Sequence, residues 1–235
     1  MLGAAGGLSA AGAAAATIGG DLTATTDYIF RGISQDDGRA AAQFDLHAGL
    51  SDGLFAGVWG STLGSGEPRG DFELELYAGK RFELSSAWSL TLTGVDYTYL
   101  HRAAPHSADY QELSASFSYL DTWNLSVAAS PNAPRYWQGR WLGRYPAYDA
   151  DVTGQWPLFG PLYATAGLGY YYVTGPSASG SGFMGYAYGN AGLAVELRGW
   201  RVDVGYYFAD IRAQPLFPYY PASNNQVAAT VSWRF

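Results

Sequence analysis

DFELELYAGKRF, residues 71–82, alternates apolar and charged side chains with period two. Phe72, Leu74, Leu76 and Ala78 share one side, and Glu73, Glu75, Tyr77 and Arg81 share the other. Alternation of this kind marks a β-strand with two unlike faces, because successive side chains leave a strand in opposite directions. The same pattern recurs along the chain. Phe44, Leu46 and Leu50 oppose Gln43, Asp45 and His47, and Leu113, Ala115, Phe117 and Tyr119 oppose Glu112 and three serines. Val227, Ala229, Val231, Trp233 and Phe235 oppose Thr230, Ser232 and Arg234.

Composition decides which face meets water. Only 14% of the 235 residues are charged, where soluble domains approach about a quarter, and 16% are aromatic, with 19 Tyr and 8 Trp. So few charges cannot coat a soluble surface, so the apolar faces are expected to point outward into lipid. After residue 20 no apolar run is long enough for a membrane-crossing helix, which leaves crossing by strands. A net charge of −7 argues against nucleic acid as a partner, since phosphates call for a basic patch. The absence of cysteine constrains the compartment only weakly.

The connections between these segments alternate short and long. SDG (51–53), LSS (84–86), LDT (120–122), PLFGP (157–161) and RG (198–199) are short. GISQDDGR, GSGEPRG, HRAAPHS, SPNAPRYWQGRWLGR, TGPSASGSGF and RAQPLFPYYPASNN are long. About twelve strands result, the first over roughly 21–31 and the last over 226–235. An even count with turns on one side and loops on the other predicts an all-β, antiparallel, up-and-down transmembrane β-barrel. Trp88, Trp123, Trp156, Trp200 and Trp233 fall beside the turns. Tyr28, Tyr97, Tyr99, Tyr110, Tyr145, Tyr148, Tyr170, Tyr172 and Tyr206 fall beside the loops, so two aromatic belts are expected at the two headgroup levels. Two segments are ambiguous: Phe55 and Trp59 oppose Ala56 and Val58, and Tyr171 and Val173 oppose Tyr170 and Tyr172. In TTDYIFRGISQDDG (25–38), period two sets Thr26, Tyr28 and Phe30 against Asp27, Ile29 and Arg31, and the same reasoning sends the aromatic side to lipid.

Residues 1–20 are small, apolar and uncharged, with Ala-x-Ala choices at Ala13–Ala15 and Ala14–Ala16 that resemble a signal-peptidase site. They are set aside as an export remnant or flexible leader, leaving 21–235 as the barrel. DLTATTDYIFRGISQDDGRAAAQFDL (21–46), LFAGVWGS (54–61), ELELYAGKRF (73–82) and YQELSASFSY (110–119) resemble the TorF family of bacterial outer-membrane porins. The resemblance is specific over residues 22–120 and becomes general barrel patterning beyond. It implies an outer-membrane β-barrel in a Gram-negative bacterium and brings no substrate with it. The ending VAATVSWRF is similar to the signal by which the barrel-assembly machinery recognises its clients, here Val231, Trp233 and Phe235.

Several local motifs lack the rest of their chemistry. GPSASGS (175–181) has phosphate-loop glycine spacing but neither the following Lys nor a helix. His101 and His106 share a loop with Asp109, but as ligands they would need a third donor in a fixed geometry, which a loop does not supply, so no metal site is expected. Asp45 and His47 share a strand face, yet no Ser nucleophile or oxyanion hole accompanies them, so no catalytic residue and no cofactor is assigned. The inward carboxylates Asp27, Asp45, Glu73, Glu75, Glu112, Asp149, Asp151 and Asp203 stand against Arg31, Arg81, Arg201 and Arg234, with His47 among them. A barrel of about twelve strands lies between a packed eight-stranded one and an open sixteen-stranded one. The expected function is a channel for passive diffusion of small polar or cationic solutes, with outer-membrane lipid around it. The competing readings are a membrane enzyme acting on lipid or polysaccharide, and a closed structural or adhesive barrel with loops rich in Trp137, Trp141, Tyr219 and Tyr220.

Overall fold

The computed structural model describes residues 16–64, 71–100, 108–176, 183–217 and 225–235. His101, His106, Tyr219, Tyr220 and the Ala-x-Ala sites lie outside them. Twelve antiparallel strands close a barrel in chain order. They are β1 (Thr17–Thr25), β4 (Ala41–Gly49), β5 (Leu54–Thr62), β6 (Phe72–Glu83), β7 (Trp88–Leu100) and β8 (Tyr110–Tyr119), then β9 (Trp123–Trp137), β10 (Arg140–Phe159), β11 (Leu162–Thr174), β12 (Phe183–Leu197), β13 (Trp200–Ala209) and β14 (Asn225–Arg234). Two further strands, β2 (Ile29–Phe30) and β3 (Ile33–Ser34), form a separate hairpin inside. The wall begins at Thr17, so Thr17–Gly20 of the segment set aside as leader belong to β1.

The first and last strands seal the cylinder. β1 pairs with β14 from Asp21↔Arg234 to Thr25↔Thr230, and Gly20 and Phe235 exchange both backbone hydrogen bonds at 3.1 Å. Turns at one end are tight. Arg198 and Gly199 both take positive φ, as do Leu120 and Asp121, the backbone that suits the right-handed twist of a two-stranded ribbon.

The apolar faces point outward as expected. Leu76 is 56% exposed, Leu113 69% and Val227 68%, which only a lipid surround makes favourable for so continuous a surface. The tryptophan belt is present at the turn end. Trp88 packs on Tyr119, Trp123 on Trp156, and Trp200 on Trp233. The tyrosine belt is thinner than the sequence suggests. Tyr148, Tyr170 and Tyr206 do face outward, but Tyr28, Tyr97, Tyr99 and Tyr110 are buried inside the barrel. The parity of their strands explains it: Ser89, Thr93, Val95, Tyr97 and Tyr99 run down one inward face of β7.

Two segments depart from expectation. The stretch SPNAPRYWQGRWLGR is not a loop but the far end of β9 and β10, closed by a two-residue turn at Gln138–Gly139. Its prolines suggest loop, yet Pro134 pairs with Arg144 in the ladder, and Pro131 falls in the register irregularity between Ser130 and Ala133, opposite Pro146. The opening strand does not reach Arg31. The chain leaves the wall after Thr25, turns into the lumen and returns as β4 at Ala41.

Candidate functional site: an acidic lumen crossed by an inner hairpin

The inner hairpin is built on side chains that replace a sheet's backbone ladder. Ser34 donates to Asp27 at 2.6 Å and to Asp36 at 3.2 Å, and Asp36 in turn accepts from the Tyr28 backbone at 3.0 Å. Gln35 donates its backbone N–H to the Tyr28 carbonyl. Arg31 and Gly32 both take positive φ and make the tight turn from Phe30 to Ile33. A side chain at position 32 has no room: its Cβ would lie 2.6 Å from the Phe208 carbonyl oxygen and 2.8 Å from Tyr188 Cβ. The hairpin thus spans the lumen from the β1 seam to the β12–β13 wall. Tyr28 and Phe30 pack within the barrel against Trp59 and Tyr97, and do not meet lipid.

At its tip Arg31 meets the wall. Its Nη2 donates to both Glu112 oxygens at 2.9 Å, and its Nε lies 3.1 Å from Asp149 Oδ1. Tyr188 donates to both Asp149 oxygens, at 3.0 and 2.9 Å, and so fixes that carboxylate's orientation. The guanidinium carbon sits 4.7 Å from the Phe30 ring centre and 5.3 Å from that of Tyr171. Tyr186 donates to the Arg31 carbonyl at 3.1 Å. Beside Arg31 there remains a void of about 30 Å³ bordered by Gln35, Tyr110 and Phe217, enough for about one water and not for a solute.

The remaining sequence-chosen residues fall into two groups. Glu73 and Glu75 lie on the same inner level as Arg31, with Tyr99 donating to Glu73 at 2.7 Å and Tyr97 stacked on Tyr110. Asp151 follows Asp149 on the inner face of β10. Nearer the turns, Asp45 accepts from Tyr77 and pairs with His47 at 2.5 Å. No hydroxyl is bonded to the His47 ring among the described residues, so the pair forms part of the polar lining. Arg201 holds Asp203 in two bonds of 2.8 Å and also reaches Glu196 and Gln155. Arg81 pairs with Glu83 and Asp121 at the turn end. Asp27 and Arg31, expected on the wall, belong to the hairpin. Sequence reading missed Asp21, Asp36, Glu196 and the inner tyrosines Tyr186 and Tyr188, and left the face of Tyr171 open. One signal could have found the hairpin: Arg31–Gly32 between two apolar residues is the same dipeptide that turns β12 into β13.

A second cover lies over the hairpin. After β13, Asp210 caps a short turn, and Ala213, Leu216 and Phe217 pack on Ile33, Tyr171 and Tyr186. Hydrogen bonds from Arg212 hold the Asp210 carboxyl below the usual range, so this pair stays ionised at neutral pH and is lost only in acid.

The family described as "Bacterial protein of unknown function (Gcw_chp)" matches residues 9–234. The chain belongs to this family. No curated protein matches it. Among solved structures, a NanC porin superposes with a TM-score of 0.55 at 10% identity, covering 92% of this chain and 97% of that one. A membrane-protein chain from work on in-meso crystallization superposes with a TM-score of 0.56 at 13% identity, covering 92% and 83%. At such identities the likeness is one of fold: this Gcw_chp-family member is a closed twelve-stranded antiparallel transmembrane barrel.

Proposed function

We propose that this protein is a gated outer-membrane channel that passively conducts small polar or cationic solutes, with the inner hairpin as its gate. The acidic lumen carries the reading. Asp21, Asp45, Glu73, Glu75, Glu112, Asp149, Asp151, Glu196 and Asp203 line it and outnumber Arg31, Arg81, Arg201 and Arg234. A low-dielectric wall focuses that field on an entering ion, which favours cations. The exposed apolar belt and the turn-and-loop asymmetry support an outer-membrane location with turns toward the periplasm. The TorF resemblance over residues 22–120 supports the porin class. The ending Val231–Phe235, with Trp233 and Phe235 packed together at the seam, is the proposed contact for the assembly machinery.

Reversal potentials in planar bilayers across a KCl gradient test the channel. A cation preference is expected, fading as salt shortens the Debye length below about 8 Å. Changing Glu73, Glu75, Asp149 and Asp151 together to Gln or Asn is expected to abolish it. An anion-selective or non-selective wild type would refute the proposal.

A further inference from the structure

The Arg31 site has the form of a receptor and its ligand. The partners stand on wall strands: the acceptors Glu112 on β8 and Asp149 on β10, the Tyr171 ring on β11, and Tyr188 on β12, which donates to Asp149. The occupant comes from elsewhere, on the two-residue turn of a hairpin that shares no ladder with the wall. The acceptor geometry is particular. One carboxylate takes a guanidinium nitrogen with both oxygens, a second takes the Nε edge, and the wall ring of Tyr171 lies near the cation. A planar fork with several N–H donors satisfies all of these at once, whereas an ammonium is a point charge and offers no flat face.

A further carboxyl group stands beside this pair. Glu75 is 7% exposed and makes no hydrogen bond among the described residues. It lies in electrostatic reach of Glu73, Glu112 and Arg31.

We propose that the Glu112–Asp149 site is a receptor for guanidinium-bearing solutes, occupied in the closed barrel by Arg31 as a tethered stand-in. A solute carrying this group displaces Arg31, and the hairpin tip leaves the β12–β13 wall as it does so. This names the solute class for the cationic channel proposed above and rests on that reading for its role in uptake. The binding site itself can be measured without any current.

The test uses the folded protein in detergent micelles with Arg31→Ala, and methylguanidinium chloride as the probe against NaCl and tetramethylammonium chloride at equal ionic strength. Thermal unfolding is followed by loss of the fast-migrating folded band on gels. Methylguanidinium is expected to raise the midpoint of Arg31→Ala by roughly 2–4 °C, while the two control salts and the wild type show no such rise. The rise is expected to vanish in the double variant Arg31→Ala, Glu112→Gln. Should Arg31→Ala fail to fold alone, refolding yield becomes the readout, and methylguanidinium is expected to restore the folded band. An Arg31→Ala protein that responds equally to all three salts, or whose refolding methylguanidinium does not improve, overturns the receptor. Rescue in a barrel that conducts nothing would overturn the channel and keep the receptor. A cation-selective wild type whose Arg31→Ala variant ignores methylguanidinium would do the reverse.

Discussion

Leu113 stands mid-strand on β8, 69% exposed, between Gly94 of β7 and Ala129 of β9. In water such a side chain would be a fault; in lipid it is the surface. Leu113→Arg is therefore expected to destabilise the barrel by about 2–4 kcal/mol, the penalty for a cation near the bilayer midplane. Leu120→Arg, at the turn level and also exposed, should cost only about 0–1 kcal/mol. Urea titration of both variants in lipid vesicles checks this, and equal midpoints would contradict the lipid-facing assignment. On the inner face the balance differs. Glu112 and Asp149 are buried carboxyl groups, and Arg31 and Tyr188 supply the donors that replace their water.

The inner hairpin is dispensable to the wall and decisive for the lumen. β1 closes onto β4 and β14 through its own ladders, with no contribution from β2 or β3. Replacing residues 28–35 by a short Gly-Ser linker should thus leave a folded barrel and raise single-channel conductance several-fold. Wild-type conductance in that variant would show that the hairpin is not the gate. This element was also the hardest to read in advance. β6, β7 and β8 were legible because strict alternation and flanking turns agree, and the lumen acids followed from that parity. The stretch Thr26–Arg31 alternates just as well, but nothing local distinguishes a strand facing lipid from a hairpin packed on tyrosines. Whether its aromatics meet lipid or protein is decided by Tyr97, Tyr171 and Phe208, far away in the chain. β9 and β10 were shortened for the opposite reason, since proline and glycine punctuation outweighed a register that only the paired strand reveals.

At the scale of the molecule, the barrel depends on one seam joining the two ends of the described chain. Gly20 and Phe235 exchange backbone hydrogen bonds, and a Cβ at position 20 would lie 2.9 Å from the Phe235 ring. Phe235→Asp is expected to leave unfolded chain in the periplasm. A carboxylate near the interface is too cheap to unfold a finished barrel, so the loss would report failed recognition during assembly. Normal outer-membrane levels of folded Phe235→Asp would contradict that role. The cylinder is also lopsided. β10 runs 20 residues, about 50 Å in height at a tilt of about 40°, against an apolar band of about 25 Å. With its partner β9 it extends beyond that band and ends in Gln138–Gly139, where the Gln138 N–H donates to the Pro215 carbonyl. Among the described residues that ribbon would be a mast, open from outside the cell to an antibody or a phage tail. An epitope tag spliced between Gln138 and Gly139 should accordingly be stained on intact cells without loss of the folded barrel, and a tag seen only after permeabilisation would mean that the mast points inward.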